Sequence, residues 1–161
     1  MFKRLFLFCF LLFFVAFPMQ VLAGSNGEMS VLSLRGDTSN MTRDQIVELE
    51  RVGKWMDKDI IKQLKKAGYR AKLLSSRKDF AGPGHLLIIE VAKFKAGNRA
   101  ARAFVGFGAG GSSLDLQYKL LNSKGASVTT WDDGVGSSKG GTYCAQTLNR
   151  NVIKKLKTVI N

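Results

Sequence analysis

Cysteine, histidine and proline are scarce in this sequence. Its 161 residues include two cysteines, two prolines and a single histidine, His85. Because Cys9 lies in a hydrophobic N-terminal run, Cys144 is the one cysteine left for a folded domain and has no partner for an intrachain disulfide. A lone histidine and a lone cysteine far apart in the chain give no reason to infer a zinc site or a Cys–His catalytic dyad.

Groups paired for catalysis are also missing. Asp132 and Asp133 are adjacent, so on a strand they would point to opposite faces and make a poor acid–base pair. They also lack the alternate-oxygen spacing of a calcium-binding loop. Serine is plentiful, but no base and orienting acid can be identified beside it. We therefore expect no enzyme, no metal and no cofactor, and we expect Cys144 to be a small buried hydrophobic residue.

The sequence has one long hydrophobic run, and it lies at the N-terminus. Lys3 and Arg4 precede the apolar stretch Leu5–Phe17, and small residues follow at Ala23 and beyond. This pattern is typical of a secretory signal peptide over residues 1–23, with an uncleaved anchor as the alternative. The stretch is shorter than the roughly 18 residues of a spanning helix. The signal peptide predicts export to the periplasm or the outer-membrane periphery. The residue directly after Ala23 is Gly24 and not a cysteine, so we do not expect a lipoprotein.

Acidic residues are outnumbered. The chain has 25 Lys and Arg against 12 Asp and Glu, a formal net charge of +13. Removal of residues 1–23 would leave 138 residues and a charge of +11. Such a charge favours acidic partners such as anionic lipid, lipopolysaccharide, acidic polysaccharide or another protein, whereas export argues against nucleic acid. Alternatively, the charge only keeps an exported domain soluble.

Hydrophobic periodicity predicts a single domain over residues 42–161, after a leader, residues 24–41, that holds a short first strand. A capping box at Thr42 and Gln45 would begin the first helix, and Gly68 would end it. The remaining predicted elements are strands at Tyr69–Leu74, at His85–Phe94, within Ala100–Asn122 and at Ala126–Trp131, a polar loop at Asp132–Gly141, and a last helix at Tyr143–Thr158. This order predicts an α+β fold, a mostly antiparallel sheet of four to five strands with two helices packed on one face.

The stretch Ala100–Asn122 carries the most informative pattern. Its first half is rich in glycine, and its second half alternates apolar and polar residues from Leu114 to Leu120, as a half-buried strand does. Gly106–Gly111 formally matches the dinucleotide-binding pattern G-x-G-x-x-G. That site needs a helix after the glycines, whereas the alternation here predicts a strand, so no nucleotide cofactor is expected.

The glycine-rich half is the predicted partner-binding site, because glycine lets another backbone approach closely. Three interpretations remain open: a bulged or flexible hairpin end, contact with a partner protein, and contact with a membrane. The candidate contact residues are Phe104, Gly106, Phe107, Gly108, Gly110 and Gly111.

A second candidate site is the basic face of the first helix. Spacing of about four residues lines up its cationic residues, Arg51, Lys54, Lys58 and Lys62, on one side. This face would dock anionic lipid or polysaccharide. Glu50 and Asp59 lie nearby and dilute the charge, and an ordinary solvated face is the alternative.

Three features of the sequence together resemble a known bacterial family. A helix ending K-K-A-G-Y, a hydrophobic strand and the run F-V-G-F-G-A-G-G-S-S-L-D-L-Q-Y-K-L-L-N-S-K-G are similar to the family called domain of unknown function 4410, over roughly Thr42 to Ile160. The family typically has a turn like Asp-x-x-Thr-Gly where this chain has Asn122–Gly125, and many relatives are lipoproteins. The resemblance implies an α+β envelope protein and nothing catalytic. By looser analogy it is similar to the small αβ assembly modules of the curli-secretion channel and the Tol translocation protein.

The sequence thus predicts a non-enzymatic interaction module of the periplasm or outer-membrane periphery. Its partner would be an envelope protein or a second copy of the chain, within a larger cell-envelope or secretion assembly. The alternative is a binder of an anionic envelope lipid, lipopolysaccharide or polysaccharide through the basic helix face.

Overall fold

The computed structural model describes residues 27–97 and 110–160. Two long helices and five strands follow one another as β1 Glu28–Leu34, α1 Arg43–Lys66, β2 Arg70–Leu74, β3 His85–Lys95, β4 Ser112–Leu121, β5 Ser127–Ser137 and α2 Gly141–Val159. A single 3-10 turn, Arg77–Asp79, lies between β2 and β3. These elements confirm the predicted α+β class and the predicted number of strands.

The five strands form one mixed sheet in the order β2-β1-β3-β4-β5. β1 pairs in parallel with both β2 and β3, while β3 with β4 and β4 with β5 pair antiparallel. The antiparallel pairings join the three longest strands, so the sheet is mostly antiparallel, as predicted. β1 lies inside the sheet, between its two parallel neighbours, and is not a peripheral strand of a leader.

Both helices pack on one face of the sheet. The core between them is apolar and fully buried; it includes Leu49, Val52, Met56, Ile60 and Leu64 of α1, Ala145, Leu148, Val152 and Leu156 of α2, and Met29, Val31, Leu87, Ile89, Leu114, Leu116 and Leu120 of the strands. Each helix contributes residues at helical spacing and each strand contributes alternate residues, which is why the periodicity of the sequence predicted the two faces.

Local signals at the ends of α1 act as the sequence predicts. The Thr42 side chain accepts a hydrogen bond from the backbone N–H of Gln45 at 3.3 Å, and Gln45 Oε1 accepts one from the N–H of Thr42 at 2.8 Å. The helix ends at Lys66 with Ala67 as its C-cap, and Gly68 follows with a φ of +92°. A residue with a Cβ would be strained at that φ, so glycine is the residue that ends the helix there.

The other face of the sheet is only partly covered. The connection from β2 to β3 must pass β1, and it crosses on this face, where Phe80 packs against a small cluster of Leu32, Leu74, Leu86 and Leu121. The rest of the face, toward β4 and β5, is not covered by any described residue. We call it the open face.

One boundary prediction is wrong. The segment from Asp132 to Ser137, predicted as part of a polar loop, belongs to β5 and pairs with β4 from Gln117 back to Ser112. Its glycine- and serine-rich composition is typical of a loop, but the neighbouring strand supplies hydrogen-bonding partners along its whole length. Non-local pairing therefore outweighs the weak β propensity of these residues.

Candidate functional site

The two ends of the glycine-rich segment meet at one point beside the start of β4. A Cβ built on Gly97, which has a φ of +74°, would lie 2.6 Å from Ser112 Oγ and 2.7 Å from the carbonyl oxygen of Gly110. The Ser112 hydroxyl donates a 2.8 Å hydrogen bond to the carbonyl oxygen of Ala96. The chain therefore leaves β3 and enters β4 through a tight junction of backbones, which we call the neck.

Most of the predicted partner-binding residues lie outside the described part of the chain. Phe104, Gly106, Phe107 and Gly108 are among them. Gly110 is described as a turn residue with a φ of +71°, and Gly111 leads into β4. A strand and not a helix follows Gly111, which confirms the prediction made from the alternating residues after the glycines.

A cavity of about 690 Å³ lies on the open face, and one of about 600 Å³ lies beside the neck. The neck cavity is lined by Gly97 and Ser112, by Arg51 of α1, and by the first residues of α2, Gly141 and Thr142. Arg51 Nη1 is 3.5 Å from Thr142 Oγ1. The first turn of α2 has no side-chain cap at Gly140, whose carbonyl oxygen accepts hydrogen bonds from the N–H groups of Tyr143 and Cys144.

The charge of Arg51 is largely satisfied inside the chain. Its guanidinium donates to both carboxylate oxygens of Glu48, at 2.6 and 2.7 Å. This hydrogen bonding raises the pKa of Arg51, the largest effect on that group, while partial burial opposes it. Arg51 is therefore a weaker candidate for an anionic ligand than the lysines of the same helix.

The three predicted lysines of α1 form one exposed row. Lys54, Lys58 and Lys62 are all exposed. At about 100° per residue they point directly away from the buried stripe of the helix, and Lys65 continues the row. We call these four residues the lysine row. The structure thus brings together the cationic residues that the spacing predicted.

The acidic residues of α1 that lie near the lysine row in the sequence are at its flanks in the structure, where other residues contact them. Asp57 binds Arg35 at 2.6 Å on one side, and Glu50 lies 3.8 Å from the same guanidinium. On the other side Asp59 accepts hydrogen bonds from Asn149 of α2, at 2.9 Å, and from Gln63. Arg35 and Asn149 are remote in sequence, so the sequence carried no signal for this separation of charges.

The open-face cavity was not predicted from the sequence. Leu32, Leu34 and Ile88 contribute apolar surface to it, and Arg77 of the crossing connection forms one wall. Strand residues add polar groups and charges of both signs, among them Glu90, Gln117, Lys119, Thr130 and Asp132. The one feature of the sequence that pointed to this cavity is the run of apolar residues on both faces of β3. A lining of mixed charge favours an amphipathic segment over a simple anion or cation.

The two residues most open to a catalytic interpretation do not meet. His85 is half-buried at the start of β3, beside Met29 of β1. Cys144 is fully buried at the start of α2, with its thiol 3.7 Å from the carbonyl oxygen of Ser112, and burial raises its pKa. This confirms the prediction that Cys144 is a small buried hydrophobic residue. Residues 27–97 and 110–160 hold no cluster of three metal-ligating side chains.

The same described ranges include no helix that is both long and apolar enough to span a membrane. No curated protein matches the chain. Two solved structures from Paraburkholderia phytofirmans share its fold, a PelC dodecamer with a leucine-to-methionine substitution and another PelC dodecamer. The first is 13% identical, with a TM-score of 0.55 and coverage of 83% of this chain and 91% of that one. The second is 17% identical, with a TM-score of 0.51 and coverage of 81% and 89%. At the level of sequence, residues 25–152 match one family, so the chain belongs to the family described as Domain of unknown function (DUF4410).

Proposed function

We propose that this protein is an exported, non-enzymatic interaction module that works as a homo-oligomeric subunit of a cell-envelope or secretion assembly. One observation carries the oligomer: the fold is shared with two PelC chains that are dodecamers. The hydrophobic N-terminal run of the sequence supports export. The separation of His85 from Cys144 supports a role in binding rather than in catalysis.

The surfaces of the described domain suit such a role. Its helices cover only one face of the sheet, and the open face keeps a cavity with an apolar floor. Among the described residues, no strand pairs with the outer edge of β2 or of β5. Faces and edges of this kind are where sheets bind other chains.

Expression of the full chain in a bacterial host followed by cell fractionation would test this proposal. We expect the protein in the periplasmic or envelope fraction, with the molecular mass of a cleaved chain whose first residue is Gly24. Native mass spectrometry and light scattering should show one discrete species larger than a dimer. A strict monomer at micromolar concentration, or protein confined to the cytoplasm with residues 1–23 intact, would overturn it.

A second candidate is binding of an anionic envelope ligand through the lysine row. The observation that favours it is the engagement of Asp57 and Asp59 at the flanks, which leaves Lys54, Lys58 and Lys62 as an exposed row of one sign. Each lysine near an anionic surface contributes about 1 kcal/mol, and the attraction falls off within a Debye length.

Co-sedimentation with vesicles that contain anionic lipid would test the row. A triple Lys→Glu variant at 54, 58 and 62 should lose binding, and wild-type binding should weaken strongly between low and high salt. The matched control changes Lys154, Lys155 and Lys157 of α2 to Glu, which alters the net charge equally at another exposed site. Equal losses in both variants would indicate a net-charge effect and would contradict a specific site.

A further inference from the structure

The two outer edges of the sheet differ in charge. β2, with the sequence RAKLL, carries Arg70 and Lys72 and no acidic residue. β5, with the sequence SVTTWDDGVGS, carries Asp132 and Asp133 and no basic residue. This contrast occurs in a chain with twice as many basic as acidic residues, so an 11-residue strand without a single lysine or arginine stands out.

One charge on each edge is available for another molecule. Arg70 lies 3.3 Å from Glu28, and Asp133 accepts a 2.8 Å hydrogen bond from Asn151. Lys72 and Asp132, by contrast, are exposed and have no hydrogen-bonding or ionic partner within the described ranges. Lys72 pairs with Ser30 and Asp132 with Gln117, and both side chains lie on the sheet face opposite the helices. A sheet continued from β5 to β2 would keep them on the same face.

Each edge also carries an exposed large hydrophobic residue. Leu73 of β2 is 47% exposed and Val128 of β5 is 41% exposed; on the inner strands the one comparable described residue is Leu34, 39% exposed at the very end of β1. Native sheets protect free edges with charged side chains, short strands, bulges or a covering element, whereas exposed hydrophobic residues on an edge favour pairing with another chain. Across two paired strands, apolar contacts and opposite charges each stabilise the sheet, so a strand placed beside either edge would find both kinds of contact.

The direction of the strands limits how two copies can join. β2, β1, β3 and β5 all run the same way, and only β4 runs opposite. A copy rotated about an axis along the strands would place its β2 beside β5 as a parallel neighbour. Contacts of β5 with β5, or of β2 with β2, would be isologous and would bring like charges together, which disfavours them.

We propose that β5 of one copy binds β2 of the next, with the carboxylate of Asp132 beside the ammonium group of Lys72. This proposal rests on the homo-oligomer proposed above and names its interface. The contact is head-to-tail, so repetition gives a closed ring wherever the rotation closes. β2 offers only five residues, so the charged pair is a large part of a short interface and the assembly should weaken as salt rises.

Charge exchange tests the interface. Native mass spectrometry and light scattering would be compared for wild type, Lys72→Glu, Asp132→Lys and the double variant with both changes. We expect each single reversal to raise the dissociation constant by about tenfold or more and the double variant to restore assembly. Lys154→Glu on α2 is the matched control and should assemble as wild type does. If both single reversals assemble normally, the interface is wrong although the oligomer stands; a monomeric wild type overturns the oligomer itself.

Cysteine cross-linking provides a test that does not depend on a loss of function. Protein expressed for export, so that cleavage before Gly24 removes Cys9, and carrying Lys72→Cys and Asp132→Cys should form a ladder of disulfide-linked copies under mild oxidation, because β2 and β5 of one copy lie at opposite edges of its sheet. The native Cys144 is buried and should not contribute. The control pair Lys154→Cys and Asp132→Cys should give no ladder. A ladder from the control alone, or from neither protein, contradicts the proposed contact.

Discussion

The guanidinium of Arg35 lies across Gly53 of α1, where a Cβ would overlap with its Nε and Cζ atoms. From there it donates a 2.6 Å hydrogen bond to Asp57 and a 2.7 Å hydrogen bond to Ser33. The side chains of Arg35 and Asp57 are only 18% and 13% exposed. The missing side chain of one helical glycine thus makes room for a largely buried ion pair that ties the end of β1 to α1.

Gly53→Ala should therefore destabilise the protein. In an ordinary helix interior this change stabilises by about 1 kcal/mol. Here the new methyl group displaces Arg35 and leaves Asp57 without its partner, so we expect a net loss of about 1 to 3 kcal/mol in urea unfolding. In an Arg35→Ala background the same change should become stabilising. A loss of equal size in both backgrounds would contradict the role given to Arg35.

Tyr118→Phe should leave stability at neutral pH unchanged or slightly raised. Tyr118 is 2% exposed and stacks on Trp131 with ring centroids 4.9 Å apart, and its hydroxyl has no hydrogen-bond partner among the described residues. Loss of a buried, unpaired hydroxyl removes a desolvation cost while the ring contact remains. Tyr143→Phe, at a more exposed tyrosine, is the control. A loss above about 1 kcal/mol for Tyr118→Phe alone would show that the hydroxyl has a stabilising partner.

Stability should fall at alkaline pH, and Tyr118 should contribute to that fall. Burial, and secondarily the charge of Asp133, raises the pKa of Tyr118, so folding favours its neutral form. The stability linked to this shift is complete below the unfolded-state pKa of about 10 and is lost as pH rises above it. Urea unfolding between pH 8 and 11 should show a smaller decline for Tyr118→Phe than for wild type. Parallel curves would refute the contribution.

Asn149→Asp should be far more damaging than its small change in shape suggests. The Asn149 side chain is fully buried, and its Nδ2 donates to the carbonyl oxygen of Met56 at 3.1 Å and to Asp59 at 2.9 Å. A carboxylate there removes both donors and places two negative charges in contact, so we expect a loss of about 3 kcal/mol or more at pH 7. The pKa of the introduced carboxyl should be raised, so the loss should shrink as pH falls toward 4. Asn149→Leu, which introduces no charge, should show no such pH dependence.

The Cys144 thiol should react with a disulfide reagent only when the protein unfolds. It is fully buried, and burial raises its pKa, so neither access nor a thiolate favours reaction in the folded state. The rate should rise with urea in step with the unfolded fraction. An Ala145→Cys variant tests whether this stretch of α2 opens locally, because Ala145 is equally buried. Fast labelling of native Cys144 would show that the start of α2 opens on its own.

The elements whose signals are local could be predicted from the sequence. The capping residues of α1, Gly68 after its end and the alternation of β4 each depend on neighbours a few residues away. Three members of the lysine row, Lys54, Lys58 and Lys62, were predicted together with Arg51 for the same reason, because helical spacing alone aligns them, whereas Lys65 was not.

What the sequence could not predict depends on partners that are remote in the chain. The length of β5 depends on β4, the engagement of Asp57 depends on Arg35, and the central place of β1 depends on two strands that come later. The glycine-rich residues from Phe104 to Gly108 remain a prediction, because they lie outside the described ranges.

The position of β1 sets the order in which the sheet is able to form. Met29 of β1 pairs with Ala71 of β2 on one side and with His85 of β3 on the other. The first strand to be synthesised therefore cannot complete its pairing until both later strands are present. Closure of such long loops is costly in entropy, whereas β3, β4 and β5 pair as successive antiparallel neighbours. We therefore expect β3–β5 to nucleate folding and β1 to dock late. If the chain is exported as proposed, its leading end would remain unfolded until the 103 residues from Arg35 to Ser137, the end of β5, had emerged from the export pore.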